Sequence, residues 1–176
     1  AEFYSVQGSF ELFLPFFFEH HVPYLAMNGR WTSGKNPEVY RVRLSSYMRG
    51  LVPEFAPYGR GALVFTAEYR FPLLWLSHRI LSWWPSLGLR YIALAPFYDY
   101  GQSFERKIFK DTFVRSYGLY TDIGLHVFYL PIAIRLTYAR GEGPAGETSY
   151  GFGILVGAGA GGMQDRNLDP FARSLR

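Results

Sequence analysis

The 176-residue sequence contains no cysteine, which excludes a disulfide framework, a thiolate metal site and a thiol nucleophile. Charge is scarce as well: charged residues make up 18% of the chain, against roughly 25% in an ordinary soluble domain. The 18 basic and 14 acidic residues leave a net charge of +4, and the basic ones are scattered along the chain. A nucleic-acid-binding face clusters its cations, so that class of partner is set aside. No run approaches the about 18 unbroken apolar residues of a membrane-spanning helix. The most apolar region, 71–89, is cut by Pro72, His78, Arg79 and Pro85. Nor is there a basic segment followed by a short apolar one, so the expectation is a leader already removed or lying upstream.

Aromatic side chains are what the chain has in excess: 14 Tyr, 16 Phe and 4 Trp, or 19% of all residues. They sit in segments whose apolar positions recur every second residue. After Ala62 one face reads Leu63, Phe65, Ala67, Tyr69 and Phe71, and the other Val64, Thr66, Glu68 and Arg70. A strand separates these two sets, whereas a helix would mix them. The same split runs along the chain from Tyr4, from Leu89, from Tyr117 and from Ile132. The spacing predicts seven strands at roughly 3–17, 22–33, 60–76, 87–102, 115–130, 131–142 and 147–159, with a turn at Leu130-Pro131.

Apolar residues on one face and polar or small ones on the other, over about ten residues, mark a transmembrane β-barrel strand. A soluble sandwich or lipocalin-like barrel alternates too. Two features favour the membrane. Aromatics gather near strand ends, among them Tyr4, Phe16 to Phe18, Trp31, Trp75, Trp83, Trp84, Tyr129 and Tyr138, as girdles at a bilayer interface do. The polar faces carry Glu, Asp and Arg at mid-strand, which a small soluble barrel would have to bury unpaired. The fold class expected is therefore all-β, an antiparallel transmembrane β-barrel. Connections should alternate between short turns and long loops, the longest being about 33–59. Seven is an odd count, and an open sheet edge is costly in lipid. The chain is expected to be a portion of a larger barrel, or a part that pairs with another chain. Residues 1–160 would form the barrel portion and 161–176 a flexible tail.

Three motifs follow one another in order. Tyr47-Met48-Arg49-Gly50-Leu51 lies in the long loop, Glu68-Tyr69-Arg70 in the next strand, and Phe97-Tyr98-Asp99-Tyr100-Gly101 in the one after. Together they resemble the BamA/TamA-type outer-membrane assembly and two-partner-secretion barrel superfamily. There an Arg-Gly-aromatic loop folds back into the lumen over a Glu-x-Arg strand and a Phe-x-Asp-x-Gly strand. The segment Pro131 to Arg140 and the strand around Gly151 to Ile154 are similar to that family's last two strands. The resemblance covers about residues 3–159 and implies the C-terminal seven strands of a barrel of about sixteen. It implies a bacterial outer membrane, with an organelle's outer membrane as the alternative. It also implies membrane lipid, the missing strands and an unfolded outer-membrane or secreted protein as partners. The chain departs from the pattern at Leu51, where the motif's aromatic is missing, and at Met48, where Val is usual.

Physical chemistry gives the motif a meaning of its own. Alternation puts Glu68 and Arg70 on the lumen face of one strand and Asp99 on the same face of its neighbour. Two carboxylates facing a low-dielectric interior repel unless a cation lies between them. Arg49, on a loop long enough to re-enter, has a planar fork able to bond both. The other possibility is a solvated wall on which Arg70 neutralises one carboxylate locally. Gly50 and Gly101 complete the candidate lock: Arg49, Gly50, Glu68, Arg70, Asp99 and Gly101.

Other candidates carry less. His20 and His21 are adjacent, so on a strand they would point to opposite faces, a poor metal pair. His126 reads as a polar wall residue. Glu11, Asp99 and Asp122 fall on different strands without a nucleophile motif, and the glycines of 141–146 and 157–162 lack the strand-to-helix setting of a phosphate loop. The reading is of a protein that is not an enzyme and uses no metal or cofactor. Its alternatives are a structural membrane anchor or subunit of a larger complex, and a passive pore.

Overall fold

The computed structural model describes residues 3–14, 18, 20–34, 41–76, 87–105, 113–127, 130–143 and 146–156. The tail 161–176, the Trp83-Trp84-Pro85 segment, Phe16, Phe17, Tyr129 and the glycines from 157 lie outside them. The fold is all-β. Seven antiparallel strands form one sheet in the order β1-β2-β5-β6-β7-β8-β9. They are β1 (Phe3–Phe13), β2 (Val22–Gly34), β5 (Gly61–Trp75), β6 (Leu87–Phe104), β7 (Val114–Val127), β8 (Leu130–Gly141) and β9 (Thr148–Val156). Two short strands, β3 (Val42–Arg43) and β4 (Tyr58–Gly59), pair with each other inside the long β2–β5 connection. The order is that of a meander, each long strand beside the next in sequence, because alternating segments joined end to end pair most cheaply with their immediate neighbours. β1 and β9 are the edges.

The expected turn at Leu130-Pro131 needs correction. β7 ends at Val127 and β8 begins at Leu130, so Pro131 stands inside β8 opposite His126. At the second position of its strand a proline costs little, because few ladder bonds depend on it there.

Register aligns the two faces across the sheet. On the outer face Ile92, Ile123, Ile134 and Ile154 form a continuous row from β6 to β9. Large apolar side chains stand exposed on this face, among them Val6, Phe10, Leu25, Phe65, Leu136 and Phe152. The inner face is small and polar. Ala93, Ala95, Ala133 and Ala139 are buried there beside Asp99, Ser116 and Thr137. Small residues leave room for a covering layer, which the β2–β5 connection supplies.

That connection folds onto the inner face as a plug. After β3 a single 3-10 turn, Leu44–Ser46, reverses the chain. The N–H groups of Tyr47 and Met48 both donate to the Leu44 carbonyl, at 2.9 and 3.0 Å, and the Leu44 N–H donates to the Pro57 carbonyl at 2.9 Å. Val42, Leu44, Met48, Leu51 and Ala56 pack together against Ala62 and Val64 of β5. Val64 is a larger aliphatic residue on this inner face, buried to 1% exposure within the loop's cluster. The larger hydrophobic cluster of the described residues thus lies between sheet and loop, and a smaller one, Ala95, Phe97, Tyr120 and Ala139, lies on the inner face from β6 to β8.

Candidate functional site

The 3-10 turn delivers Arg49 to the sheet between β5 and β6. Thr66 pairs with Asp99 and Glu68 with Phe97, so the two carboxylates occupy diagonal positions on adjacent strands. Arg49 reaches both. Its Nη1 donates to Glu68 Oε1 at 2.9 Å, while Nη2 and Nε donate to Asp99 Oδ1 and Oδ2 at 2.8 and 2.9 Å. The Arg49 backbone N–H adds a longer bond to Asp99 Oδ2 at 3.4 Å. The contact with Asp99 is a bidentate fork, the strongest form of a guanidinium–carboxylate pair. A lysine would offer one point charge in its place.

Beneath the guanidinium lies Phe97, whose ring centre is 3.5 Å from Arg49 Cζ. Phe97 is two residues before Asp99, so both project from the inner face and platform and anchor come from a single strand. The ring offers its negative face to the cation. Leu51, two residues after Arg49, packs into the plug core at 8% exposure. It also forms an isolated bridge to Gly146 in the β8–β9 connection.

Glu68 is shared. Its second oxygen accepts from Arg70 Nη2 at 2.7 Å, from Arg70 Nε at 3.1 Å and from the Tyr120 hydroxyl at 2.9 Å. Tyr120, on β7, extends over the small Ala95 that stands opposite it on β6. Local neutralisation by Arg70 and clasping by Arg49 therefore coexist, one on each oxygen of the same carboxylate. Arg135 stacks over the Tyr120 ring at 4.3 Å and forks onto Asp122, with bonds of 2.7 and 2.8 Å. The result is a band of three guanidiniums and three carboxylates with no net charge, crossing the inner face from β5 to β8.

The two glycines of the candidate set do steric work. Gly50 has φ of +73°, and a Cβ there would meet the Gly141 nitrogen at 2.8 Å. Its carbonyl accepts the Glu147 N–H at 3.1 Å, a backbone bond that stitches the plug to the β8–β9 connection. A Cβ on Gly101 would meet Met48 Sδ at 2.6 Å and Val64 Cγ2 at 2.8 Å. Gly101 is thus the recess that admits Met48. All six candidate residues gather where loop meets sheet.

Of the other candidates, Asp122 joins the band through Arg135, while His20 and His21 lie apart. His21 Nδ1 is 2.7 Å from the Tyr69 hydroxyl, and His20 stacks on Trp75 at 4.3 Å. Among the described residues no three His, Asp or Glu side chains gather as a metal ion would require. Tyr120 and Arg135 were not singled out from sequence. Period-2 spacing places each on the inner face, but their meeting with Glu68 and Asp122 depends on strand register.

Compared with known proteins, the chain matches no family model, no curated protein and no solved structure. The functional reading therefore stands on the motifs and on the geometry around Arg49.

Proposed function

We propose that this chain is part of the transmembrane barrel of a bacterial outer-membrane protein that assembles or secretes other proteins, of the BamA/TamA type. In this reading it is the C-terminal seven strands of a barrel of about sixteen. The observation that carries the proposal is the Arg49 clasp. A loop arginine forks onto a carboxylate of one strand, bonds a second on the neighbouring strand, and holds the loop against an inner face lined by small residues. The exposed apolar outer face supports the same reading, since a water-facing sheet would rarely present so wide an apolar surface.

The lock is conformational, and no covalent chemistry is assigned to it. Both oxygens of Asp99 and both of Glu68 are already bonded by cations, so neither carboxylate is placed to take a proton from a substrate. With the plug seated, the strands that share the clasp are braced; with it released, Glu68 and Asp99 lose their common cation and the wall can shift. Work on a client protein would come from such opening.

The test is to insert the protein into liposomes and follow uptake of an unfolded outer-membrane protein with Arg49 kept, changed to Lys and changed to Ala. The reading expects activity to fall in that order. Wild-type activity in the Arg49→Ala protein would overturn the lock and favour a structural anchor.

A further inference from the structure

The register exposes a charge pattern on the outer face that the clasp does not explain. Along the outward positions of the seven strands every described residue is uncharged except Arg115 of β7 and Arg140 of β8, leaving aside Arg90 in the β6 bulge. Both are exposed and both lie toward the end of the sheet that carries the long connections. Tyr117 pairs with Arg140, so Arg115, two residues earlier on the same face, is its diagonal neighbour. Neither makes an ion pair among the described residues. The nearest carboxylate by register, Glu142, is exposed at the strand end, where its N–H donates to the Arg115 carbonyl at 2.8 Å.

Beside this pair the outer surface is hollow. Ala67 stands between Leu25 and Tyr98 in its row and is too small to fill the place. An apolar depression of about 670 Å³ results, walled by Leu25, Met27, Phe65 and Tyr98 and reaching Arg115 at one end. An apolar trough that ends at Arg115, with Arg140 as that residue's diagonal neighbour and neither ion-paired among the described residues, matches one ligand chemistry, an acyl chain carrying a phosphate. Arginine recognises phosphate through its planar fork, and cations near a membrane surface attract anionic headgroups.

We propose that Arg115, Arg140 and the depression over Ala67 form a binding site for a phosphate-bearing anionic membrane lipid. The inference rests on the reading of this face as facing lipid. The headgroup lies against the two arginines and a chain fills the space that Ala67 leaves.

The experiment uses the full chain in detergent with equal amounts of phosphatidylglycerol and phosphatidylcholine, counting retained lipids by native mass spectrometry. The wild type is expected to keep phosphatidylglycerol over phosphatidylcholine by roughly tenfold. Arg115→Gln with Arg140→Gln should abolish that preference, the two Lys replacements should keep most of it, and Ala67→Trp should lower retention with both arginines intact. Equal retention of both lipids by the wild type, or an undiminished preference in the double Gln variant, would overturn the site and leave the membrane reading standing. Displacement of the lipid by inorganic phosphate alone, or a dimer that Ala67→Trp dissociates, would likewise overturn it. A protein soluble without detergent and indifferent to vesicles would overturn the membrane reading first. Should the double variant not fold, the two single Gln variants and Ala67→Trp carry the same comparison.

Discussion

Arg49 sits at 12% side-chain exposure between Glu68 at 6% and Asp99 at 1%, so its removal strands Asp99 where water hardly reaches and leaves Glu68 with Arg70 as its remaining cation. Breaking a buried pair by deleting one partner costs about 3–5 kcal/mol, because the remaining charge keeps its desolvation penalty. Arg49→Ala should lose stability on that scale in urea unfolding of the lipid-reconstituted protein. Arg49→Lys should lose less, since a point charge still offsets the pair but cannot fork. Arg49→Ala made together with Glu68→Gln and Asp99→Asn should cost less than the separate losses added, the signature of coupled groups. Strict additivity would mean that the three do not act as one unit. Tyr120→Phe removes one bond to a charged acceptor and is expected to cost about 1.5–3 kcal/mol. The carboxylates and Arg70 were legible from sequence because alternation fixes the face a strand residue occupies, and a motif named Arg49. The Phe97 platform was half legible: its spacing from Asp99 gives the shared face, but nothing in the spacing says that a cation will lie over the ring. Tyr120 was out of reach, because its bond to Glu68 spans β6 and needs the register of three strands.

The element that matters most is the plug. Its hold on the sheet is partly the clasp and partly packing, with Leu44 fully buried among Val42, Met48 and Val64. Leu44→Ala should cost about 2–5 kcal/mol of docking, the usual range for a buried leucine. The expected readout is faster protease cleavage within 41–60 while the strand content by circular dichroism stays unchanged. Unchanged cleavage would show that the clasp alone holds the loop. Gly50→Ala attacks the same contact from the backbone, since φ of +73° and the neighbouring Gly141 both resist a Cβ. Strain of about 1–3 kcal/mol is expected there, again read as loop cleavage. All seven long strands could be placed from the periodicity because one face is apolar and the other is not. The plug's internal shape could not. Its 3-10 turn and the β3–β4 pair arise from packing against Ala62 and Val64, so no local pattern announces them.

At the scale of the molecule, an odd number of alternating strands has a geometric consequence. β1 and β9 run in the same direction, because each of the seven strands is antiparallel to its neighbour. Joining these two edges directly would make a parallel seam, so an antiparallel barrel needs an odd number of further strands. The species extracted from its native membrane should accordingly be larger than 20.2 kDa or be bound to a partner that supplies them. A lone chain of that mass with a closed barrel would contradict the proposed architecture. What decides the account more directly is which side of the sheet meets lipid. The chain has no native cysteine, so a nitroxide can be attached at any single introduced site without background labelling. Scanning a label along β8 from Ile134 to Tyr138 in the liposome-bound protein compares collision with lipid-soluble oxygen and with a water-soluble nickel complex. A period of two is expected, with oxygen favoured at Ile134, Leu136 and Tyr138 and disfavoured at Arg135 and Thr137. Preferential access of the nickel complex at Ile134, Leu136 and Tyr138 would mean that the apolar face meets water, and the barrel reading would be wrong.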